Sequence, residues 1–258
     1  MRAPGANKPR SYQFARKFGK KLFRGVLFDY LADASRVPTT PVLDGGHFPW
    51  AEEVRARWPK MRDELDRLLE HRSRIPRFQD ISPDQYKISP DDQWRTFVFH
   101  GFGHSSELAC ELCPETAAAL AMVPKLESAF FSILAPGKHV PRHRGVTKGM
   151  VRCHLGLKVP DDPDHCFMNL ESENGTERCQ WREGGLLFFD DTFKHEVWND
   201  TDEERVVLLF DFERPMSWGG RMLSRTMMLA LRQTAYFKDA LRNQRAWERR
   251  YRAETAGS

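Results

Sequence analysis

Apolar and charged residues alternate between positions 151 and 159, and this is the clearest local pattern in the chain. The apolar positions are Val151, Cys153, Leu155, Leu157 and Val159, and between them stand Arg152, His154 and Lys158. A period of two is typical of a β-strand with two unlike faces. An antiparallel strand that turns its charges towards water has the same pattern. The segment alone therefore leaves open whether Arg152 and His154 face solvent or a site.

Comparable runs predict about eight short strands. They cover residues 94–101, 128–135, 150–159, 165–170, 177–181, 185–190, 194–199 and 205–213, with one helix at 114–122 after the first strand. Asn174-Gly175 predicts a tight hairpin turn, and Pro136-Gly137 with Pro141 predicts a turn ahead of His143. Many short strands separated by turns favour a mainly β fold, a jelly roll or barrel, over a doubly wound sheet.

Helical periodicity flanks these strands. Pro49 suits a first helical turn, and the apolar stripe that follows it predicts a helix kinked at Pro59. The stripe comprises Trp50, Val54, Trp58, Met61, Leu65 and Leu68. The run from Leu223 to Trp247 predicts one or two basic amphipathic helices, and residues 74–92 predict a long ordered loop near the barrel mouth. We expect a basic N-terminal segment (1–46), a jelly-roll domain (47–215) and a basic helical extension (216–258).

Positive charge is concentrated at both ends of the chain. Residues 1–30 hold eight Lys or Arg and one Asp, and residues 214–252 hold ten Lys or Arg and two acids. These ends carry +7 and +8, so the middle carries −11 in a chain of net charge +4. An N-terminal apolar stripe runs through Phe14, Phe18, Leu22, Val26 and Leu27. A basic helix of this kind can lie on an anionic membrane or pack its stripe on the barrel. Since no recognition motif accompanies the charge, we expect no nucleic-acid partner.

Length and cysteine usage narrow the class of protein. With 258 residues, 40% of them hydrophobic, the chain can bury one sizeable core. Runs of about 18 or more uncharged apolar residues and a secretory signal are absent from the sequence, so we expect a cytoplasmic protein whose membrane contact, if any, is peripheral to the inner face. The five cysteines are odd in number, so we expect free thiols. Cys110 and Cys113 have the spacing of a zinc or redox pair, but no second pair follows.

Three linked motifs resemble those of the aspartyl/asparaginyl β-hydroxylases. They read Ser-Ile-Leu-x-Pro-Gly-x-His-x-x-x-His-x-Gly from 132, Arg-x-His-Leu-Gly-Leu from 152, and Phe-Asp-Asp-x-x-x-His-Glu-x-Trp-Asn-Asp from 189, with an arginine ten residues after the last histidine. Residues 77–80, 94–97 and 113–116 extend the likeness, which covers about 48–215. The resemblance implies a double-stranded β-helix and an oxygenase that depends on iron(II), 2-oxoglutarate and O2.

The same resemblance implies a role for individual residues. The metal ligands would be His143 and His195, and Gly145 stands where the wider superfamily has a ligating carboxylate. A glycine cannot ligate, so water would fill that position, and Asp191 would orient a metal-bound water. The residues around the 2-oxoglutarate carboxylate would be Ser132, Arg152, His154 and Arg205. A guanidinium suits this purpose because its planar fork matches a carboxylate. Taken singly, Ser132 could be a core hydroxyl bonded to backbone, His154 a satisfied barrel histidine and Arg205 a surface strand residue.

The sequence leaves three hypotheses for the substrate and function, and the first is the one that the motifs favour. The family name implies hydroxylation at the β-carbon of an aspartyl or asparaginyl substrate, as a small molecule or peptide. The motifs also resemble those of bacterial lipid A hydroxylases of the same family, which implies acyl-chain hydroxylation at a membrane surface. A β-barrel binding module without catalysis is the third, and the paired histidines and arginines argue against it.

Overall fold

The computed structural model describes residues 25–101 and 103–256. Eight α-helices are present in this part of the chain: α1 (25–33), α2 (Ala51–Ala56), α3 (Trp58–Leu69), α4 (Phe78–Ile81), α5 (Glu107–Leu112), α6 (Pro114–Ala121), α7 (Trp218–Arg232) and α8 (Ala235–Ala256). Of the predicted N-terminal stripe, Phe14, Phe18 and Leu22 lie outside the described residues. Across those same residues, we find no helix whose length and apolar character would let it cross a membrane.

Eleven strands form two antiparallel sheets in the described residues. They are β1 (Val42–Leu43), β2 (Trp94–Gly101), β3 (His104–Ser105), β4 (Leu126–Leu134), β5 (Lys138–His143), β6 (Met150–Lys158), β7 (Cys166–Ser172), β8 (Gly175–Gln180), β9 (Leu186–Phe189), β10 (His195–Asn199) and β11 (Arg205–Glu213). The large sheet has the order β1-β9-β6-β11-β4-β2-β3, and the small sheet has the order β5-β10-β7-β8.

From β4 onwards the chain passes repeatedly from one sheet to the other. The strands β4, β6, β9 and β11 lie in the large sheet, and β5, β7, β8 and β10 lie in the small one. This is the strand alternation of a double-stranded β-helix, so the predicted fold class is confirmed, as are the flanking helices. The hairpin at Asn174-Gly175 is also confirmed, because Ser172 pairs with Gly175 where β7 turns into β8.

Each face of the large sheet buries its own apolar core. The outer face packs against helices, with Met61 and Leu65 of α3 among the fully buried side chains. The inner face meets the small sheet, and that core includes Leu134 and Val207 from one sheet and Met168 from the other. Because both faces of β6 are covered, Arg152 and His154 point into the protein. The alternative in which this strand turns its charges to water is therefore wrong.

Two predicted elements differ in the structure. The kinked helix is instead two helices, because Pro59 occupies the first turn of α3, where a missing N–H costs nothing. The turn expected from Pro136-Gly137 and Pro141 is present at Pro136-Gly137, whereas Pro141 lies in strand β5. A proline is tolerated there because β5 is the edge strand of the small sheet and because the pairing with β10 is irregular opposite Pro141.

The other segments follow the sequence more closely. The C-terminal run forms two helices, α7 and α8. Residues 74–92 contain the single-turn α4 and a 3₁₀ turn at Pro83–Lys87. Phe78 of α4 packs on Trp94 and Phe130, so this segment covers one end of the space between the sheets.

Candidate active site

His143 and His195 lie side by side on two neighbouring strands of the small sheet. They are paired residues of β5 and β10, and their ring centroids lie 4.2 Å apart. The Nδ1–H of His143 donates to the Pro141 carbonyl and that of His195 to the Phe193 carbonyl, each at 2.9 Å. A carbonyl can only accept, so in the neutral rings Nε2 carries the lone pair.

Burial keeps both rings neutral. It lowers the pKa of His143, and burial together with the neighbouring His143 lowers the pKa of His195 to about 3. Neutral imidazoles whose Nδ1–H is fixed by a backbone carbonyl are the usual form of histidine metal ligands. The pair therefore fits a metal ion held by two nitrogen ligands.

Asp191 lies directly beside Gly145. The Gly145 N–H donates to the Asp191 carbonyl oxygen at 2.6 Å, and a Cβ on Gly145 would lie 2.1 Å from the carboxylate of Asp191. Burial raises the pKa of Asp191 to about 6, and Arg152 at 3.3 Å opposes that rise. Within residues 25–101 and 103–256, no three His, Cys, Asp or Glu side chains are grouped to hold a metal. A bound ion would have the two histidines as protein ligands and Asp191 nearby.

Arg152 is held by acids. Its Nε and Nη2 donate to the two carboxylate oxygens of Asp211 at 2.8 and 3.0 Å, and Ser128 Oγ donates to the same carboxylate at 2.6 Å. With Asp191 at 3.3 Å as well, this guanidinium links Asp211 to the carboxylate beside Gly145. Arg152 thus has carboxylate partners from the chain itself.

Arg205 is a buried cation without a carboxylate partner among the described residues. Its Nε and Nη1 are buried and make no hydrogen bond with those residues, and its guanidinium carbon lies 4.6 Å from the centre of the Trp181 ring. Burial lowers the pKa of Arg205 to about 10, so it remains protonated at neutral pH. Leaving a charge buried and unpaired is costly. These donors fit an anion that enters the site.

His154 adds a further buried donor beside Arg205. Its Nδ1 accepts a hydrogen bond from Trp181 Nε1–H at 3.1 Å, so the neutral ring carries its proton on Nε2. Among the described residues Nε2 has no hydrogen-bond partner although it is buried. Burial, and then the charge of Arg205, holds the pKa of His154 well below its usual value. Two unpaired donor groups that share Trp181 as a neighbour fit a carboxylate.

Ser132 lies on the same inward face. Strand pairing sets Arg205 opposite Leu134 and Val207 opposite Ser132, so Arg205 and Ser132 point the same way two residues apart. Ser132 Oγ accepts a hydrogen bond from Trp94 Nε1 at 3.1 Å. The same row continues to His154 opposite Leu209 and Arg152 opposite Asp211. The seven predicted site residues thus lie in or beside the space between the two sheets.

The reasoning from sequence missed Trp181 and Asp211, which hold His154 and Arg152. Asp211 could have been found, since it is an acid within the apolar run of β11 and has the parity of Arg205. Trp181 left no such signal. His139 lies outside the site, because its ring stacks on Trp198 with centroids 3.6 Å apart and its Nε2 is 3.5 Å from Glu196.

Similarity to known proteins covers most of the chain. The family model described as Aspartyl/Asparaginyl beta-hydroxylase matches residues 55–215. An ornithine lipid ester-linked acyl 2-hydroxylase from Rhizobium tropici is 41% identical over 220 residues, which are 85% of this chain and 77% of that protein. The human aspartyl/asparaginyl beta-hydroxylase is 29% identical over 175 residues, 66% of this chain but 22% of that much longer protein. A crystal structure of a Pseudomonas putida prolyl-4-hydroxylase has a TM-score of 0.42 at 20% identity, over 74% of this chain and 99% of that one.

Proposed function

Since the chain belongs to the aspartyl/asparaginyl β-hydroxylase family, we propose that it is an iron(II)- and 2-oxoglutarate-dependent hydroxylase with His143 and His195 as metal ligands. The observation that carries the proposal is the pairing of these imidazoles, 4.2 Å apart, together with a buried arginine in the same space for which the described residues offer no carboxylate. Such a centre suits iron(II), which keeps open positions for small molecules when few protein ligands bind it.

The remaining site residues have separate tasks in this proposal. When bound, iron(II) supplies the oxygen chemistry by which 2-oxoglutarate becomes succinate and carbon dioxide while an unactivated carbon is hydroxylated. Arg205 and His154 bind a carboxylate of 2-oxoglutarate, and Ser132 lines the same row. Asp191 holds a water at the position that Gly145 leaves without a ligand. Arg152, itself fixed by Asp211, keeps the Asp191 carboxylate in place.

For the substrate we favour the acyl chain of an amino-acid-containing membrane lipid, hydroxylated at carbon 2. The similarity to the Rhizobium tropici lipid hydroxylase supports this, because it extends over 85% of the chain, beyond the 55–215 that the family model matches. The motifs alone had favoured an aspartyl or asparaginyl substrate with a lipid as the alternative. The human relative matches with lower identity and over a smaller part of this chain. An aspartyl substrate is therefore the second outcome to be tested.

Mass spectrometry with three substrate classes tests the proposal. Purified protein with iron(II), 2-oxoglutarate and O2 is given an ornithine lipid, a phospholipid or an Asp- and Asn-containing peptide, and succinate and a mass gain of one oxygen are measured. We expect both with the ornithine lipid, with fragmentation that locates the oxygen at carbon 2. Succinate formation should be abolished in His143→Ala and retained in His139→Ala, whose ring lies outside the site. Turnover that persists in His143→Ala would overturn the metal assignment, and oxygen gained only by the peptide would overturn the lipid assignment.

A further inference from the structure

Helix α7 exposes large apolar side chains and buries small residues, which is the reverse of an ordinary surface helix. Its buried positions are Gly220 and Ser224, two of its smallest residues. Trp218, Met222 and Leu229 are 72%, 46% and 60% exposed. Their spacing of four and seven residues places them along one face of the helix. A helix that only packed on the protein core would bury these side chains and expose the small polar ones.

This apolar face continues onto α1. Close approaches join the two helices: a Cβ on Gly219 would lie 2.7 Å from the Tyr30 hydroxyl, and a Cβ on Gly220 would lie 2.4 Å from the Ala34 Cβ. Tyr30 is itself 48% exposed. Val26, one turn before it, is also exposed. The two helices thus present a joint apolar surface, formed by Val26, Tyr30, Trp218, Met222 and Leu229. We call it the α1–α7 face.

Helix α7 packs on the loop that carries Gly145. The loop from His143 to β6 passes beneath α7, where a Cβ on Gly149 would lie 2.0 Å from Ser224 Oγ. On this loop Val146, one residue after Gly145, is 57% exposed. Arg214, just before α7, donates to the Lys148 carbonyl at 2.9 Å and to Asp190 at 2.8 Å. The loop that carries Gly145 and Val146 is therefore held against the buried side of α7, whose opposite side bears the exposed apolar residues.

The charge around the face indicates what covers it. Helix α7 contains Arg221, Arg225 and Arg232 and no acid, and Arg144 is exposed on the loop that carries Val146. Arg225 and Arg232 already pair with Glu213 and Glu127. Asp29 and Asp33 are exposed on α1, but α1 begins within residues 1–30, which hold eight Lys or Arg and one Asp. Apolar side chains bordered by a net positive charge are complementary to the surface of an anionic bilayer.

We propose that the α1–α7 face, together with Val146, docks into an anionic lipid bilayer and so brings the mouth of the site to the acyl chains. The proposal rests on the lipid substrate inferred above and specifies how that substrate is reached. Trp218 would enter the interfacial layer, where amphipathic aromatic rings are preferred, and Met222 and Leu229 would insert beside it. The lipid would then need to rise only a short way from the bilayer to reach His143 and His195.

Vesicle flotation of the full chain tests this without requiring turnover. Wild-type protein should float with vesicles that contain phosphatidylglycerol and float poorly with pure phosphatidylcholine. The triple variant Trp218→Ser, Met222→Ser, Leu229→Ser should lose at least roughly tenfold in vesicle affinity, because three apolar side chains leave the bilayer. Tyr86→Ser is the matched control, since Tyr86 is 63% exposed on the 3₁₀ turn at Pro83–Lys87 and should have no effect. Arg144→Glu should weaken binding to anionic vesicles only.

The possible outcomes distinguish the docking proposal from the proposed enzymatic activity. If the triple variant floats like the wild type, the docking proposal is overturned even when lipid hydroxylation is found. A second outcome is that light scattering shows the wild type to be a dimer and the triple variant a monomer, while neither protein binds vesicles. In that case the face is an interface between copies of the chain, and the proposal is also wrong. If the triple variant loses vesicle binding but still forms succinate with detergent-dispersed lipid, docking is supported and the active site is intact. Vesicle binding by a protein that oxidises no lipid would contradict the proposed substrate alone.

Discussion

The carboxylate of Asp191 occupies the space that a side chain on Gly145 would fill. A Cβ on Gly145 would lie 2.1 Å from one carboxylate oxygen of Asp191 and 2.2 Å from the other, far inside van der Waals contact. The absence of a side chain at Gly145 therefore also provides space. It makes room for a carboxylate that reaches the same region from the loop between β9 and β10 and that Arg152 holds from β6.

Substituting Gly145 by alanine should disturb this contact strongly. We expect a loss of about 1–3 kcal/mol in the free energy of unfolding, as for overpacked sites, together with a displaced Asp191 and a large loss of activity. The double variant Gly145→Ala, Asp191→Ser should recover stability, because the smaller side chain makes room, but should not recover activity. Urea unfolding of the two single variants and the double variant measures the coupling. Gly25→Ala is the control, since no atom of the described residues lies within 4 Å of its Cβ position.

Removing either histidine should remove the metal. His143→Ala and His195→Ala each leave one protein ligand, so we expect the affinity for iron(II) or cobalt(II) to fall by at least about 100-fold, given that outer residues alone change it by 10–100-fold. The metal-free protein should also lose some stability in either variant, because alanine leaves a cavity and removes the hydrogen bond between the ring and a backbone carbonyl. Metal content after equilibrium dialysis measures the effect. Equal metal content in His195→Ala and in His139→Ala would contradict the assignment.

The five thiols should differ in reactivity. All five are free, and four are buried, whereas Cys110 is partly exposed. Burial raises the pKa of Cys113 and of Cys179 to about 12, so at pH 8 roughly one in ten thousand of either is thiolate. We expect a thiol reagent to label Cys110 alone in the native protein, faster from pH 7 to 9, and all five after denaturation. Peptide mapping after brief labelling checks this, and rapid native labelling of Cys113 would contradict the packing of α6.

Glu64 of α3 caps a helix that has no side-chain cap of its own. Its buried carboxylate accepts hydrogen bonds from the backbone N–H groups of Glu115 and Thr116 at 2.7 and 2.9 Å and from Thr116 Oγ1 at 2.7 Å, at the start of α6. Glu64→Ala should therefore cost about 2–4 kcal/mol in unfolding free energy, because several donors lose a charged acceptor. Glu64→Gln should cost less. Chemical denaturation measures both, and the exposed neighbour Asp63→Ala should have little effect.

Eight of the eleven described strands were predictable because each carries its own pattern, whereas β1 and β3 are only two residues long and β5 contains a proline. The limits of 94–101 and 205–213 agree with β2 and β11, since their apolar runs are bounded by clear turns. Strand β5 was not predictable from Pro141, because only its position at the edge of the sheet lets a proline remain in it. The division of the 50–68 stripe into α2 and α3 was equally hidden, since a proline suits both a kink and a first turn.

Some features of the candidate site were likewise predictable from the sequence and others were not. His143 and His195 could be paired from motif order, but the fact that Asp191 fills the space beside Gly145 depends on a contact between two loops. The partners of Arg152 could not be assigned either, because the spacing of a motif does not say whether a guanidinium faces a ligand or Asp211. Sequence order cannot show that Trp181 contacts both His154 and Arg205. His154 lies in β6, Arg205 begins β11 and Trp181 directly follows β8.

Arg205 gives the sharpest test of the cosubstrate site, because it is a buried charge without a carboxylate partner among the described residues. Arg205→Met should leave the free energy of unfolding of the ligand-free protein unchanged or raise it by about 1–4 kcal/mol, since a buried charge is replaced by an apolar side chain of similar length. The same variant should lose the increase in melting temperature that 2-oxoglutarate gives the wild type with manganese(II). Arg205→Lys keeps the charge without the planar fork and should recover only part of that increase. Arg178→Met, at a surface arginine stacked on Phe167, should leave both measurements unchanged. If Arg205→Met lowered stability by several kcal/mol and still bound 2-oxoglutarate, the buried guanidinium would be a structural element and the carboxylate would bind elsewhere.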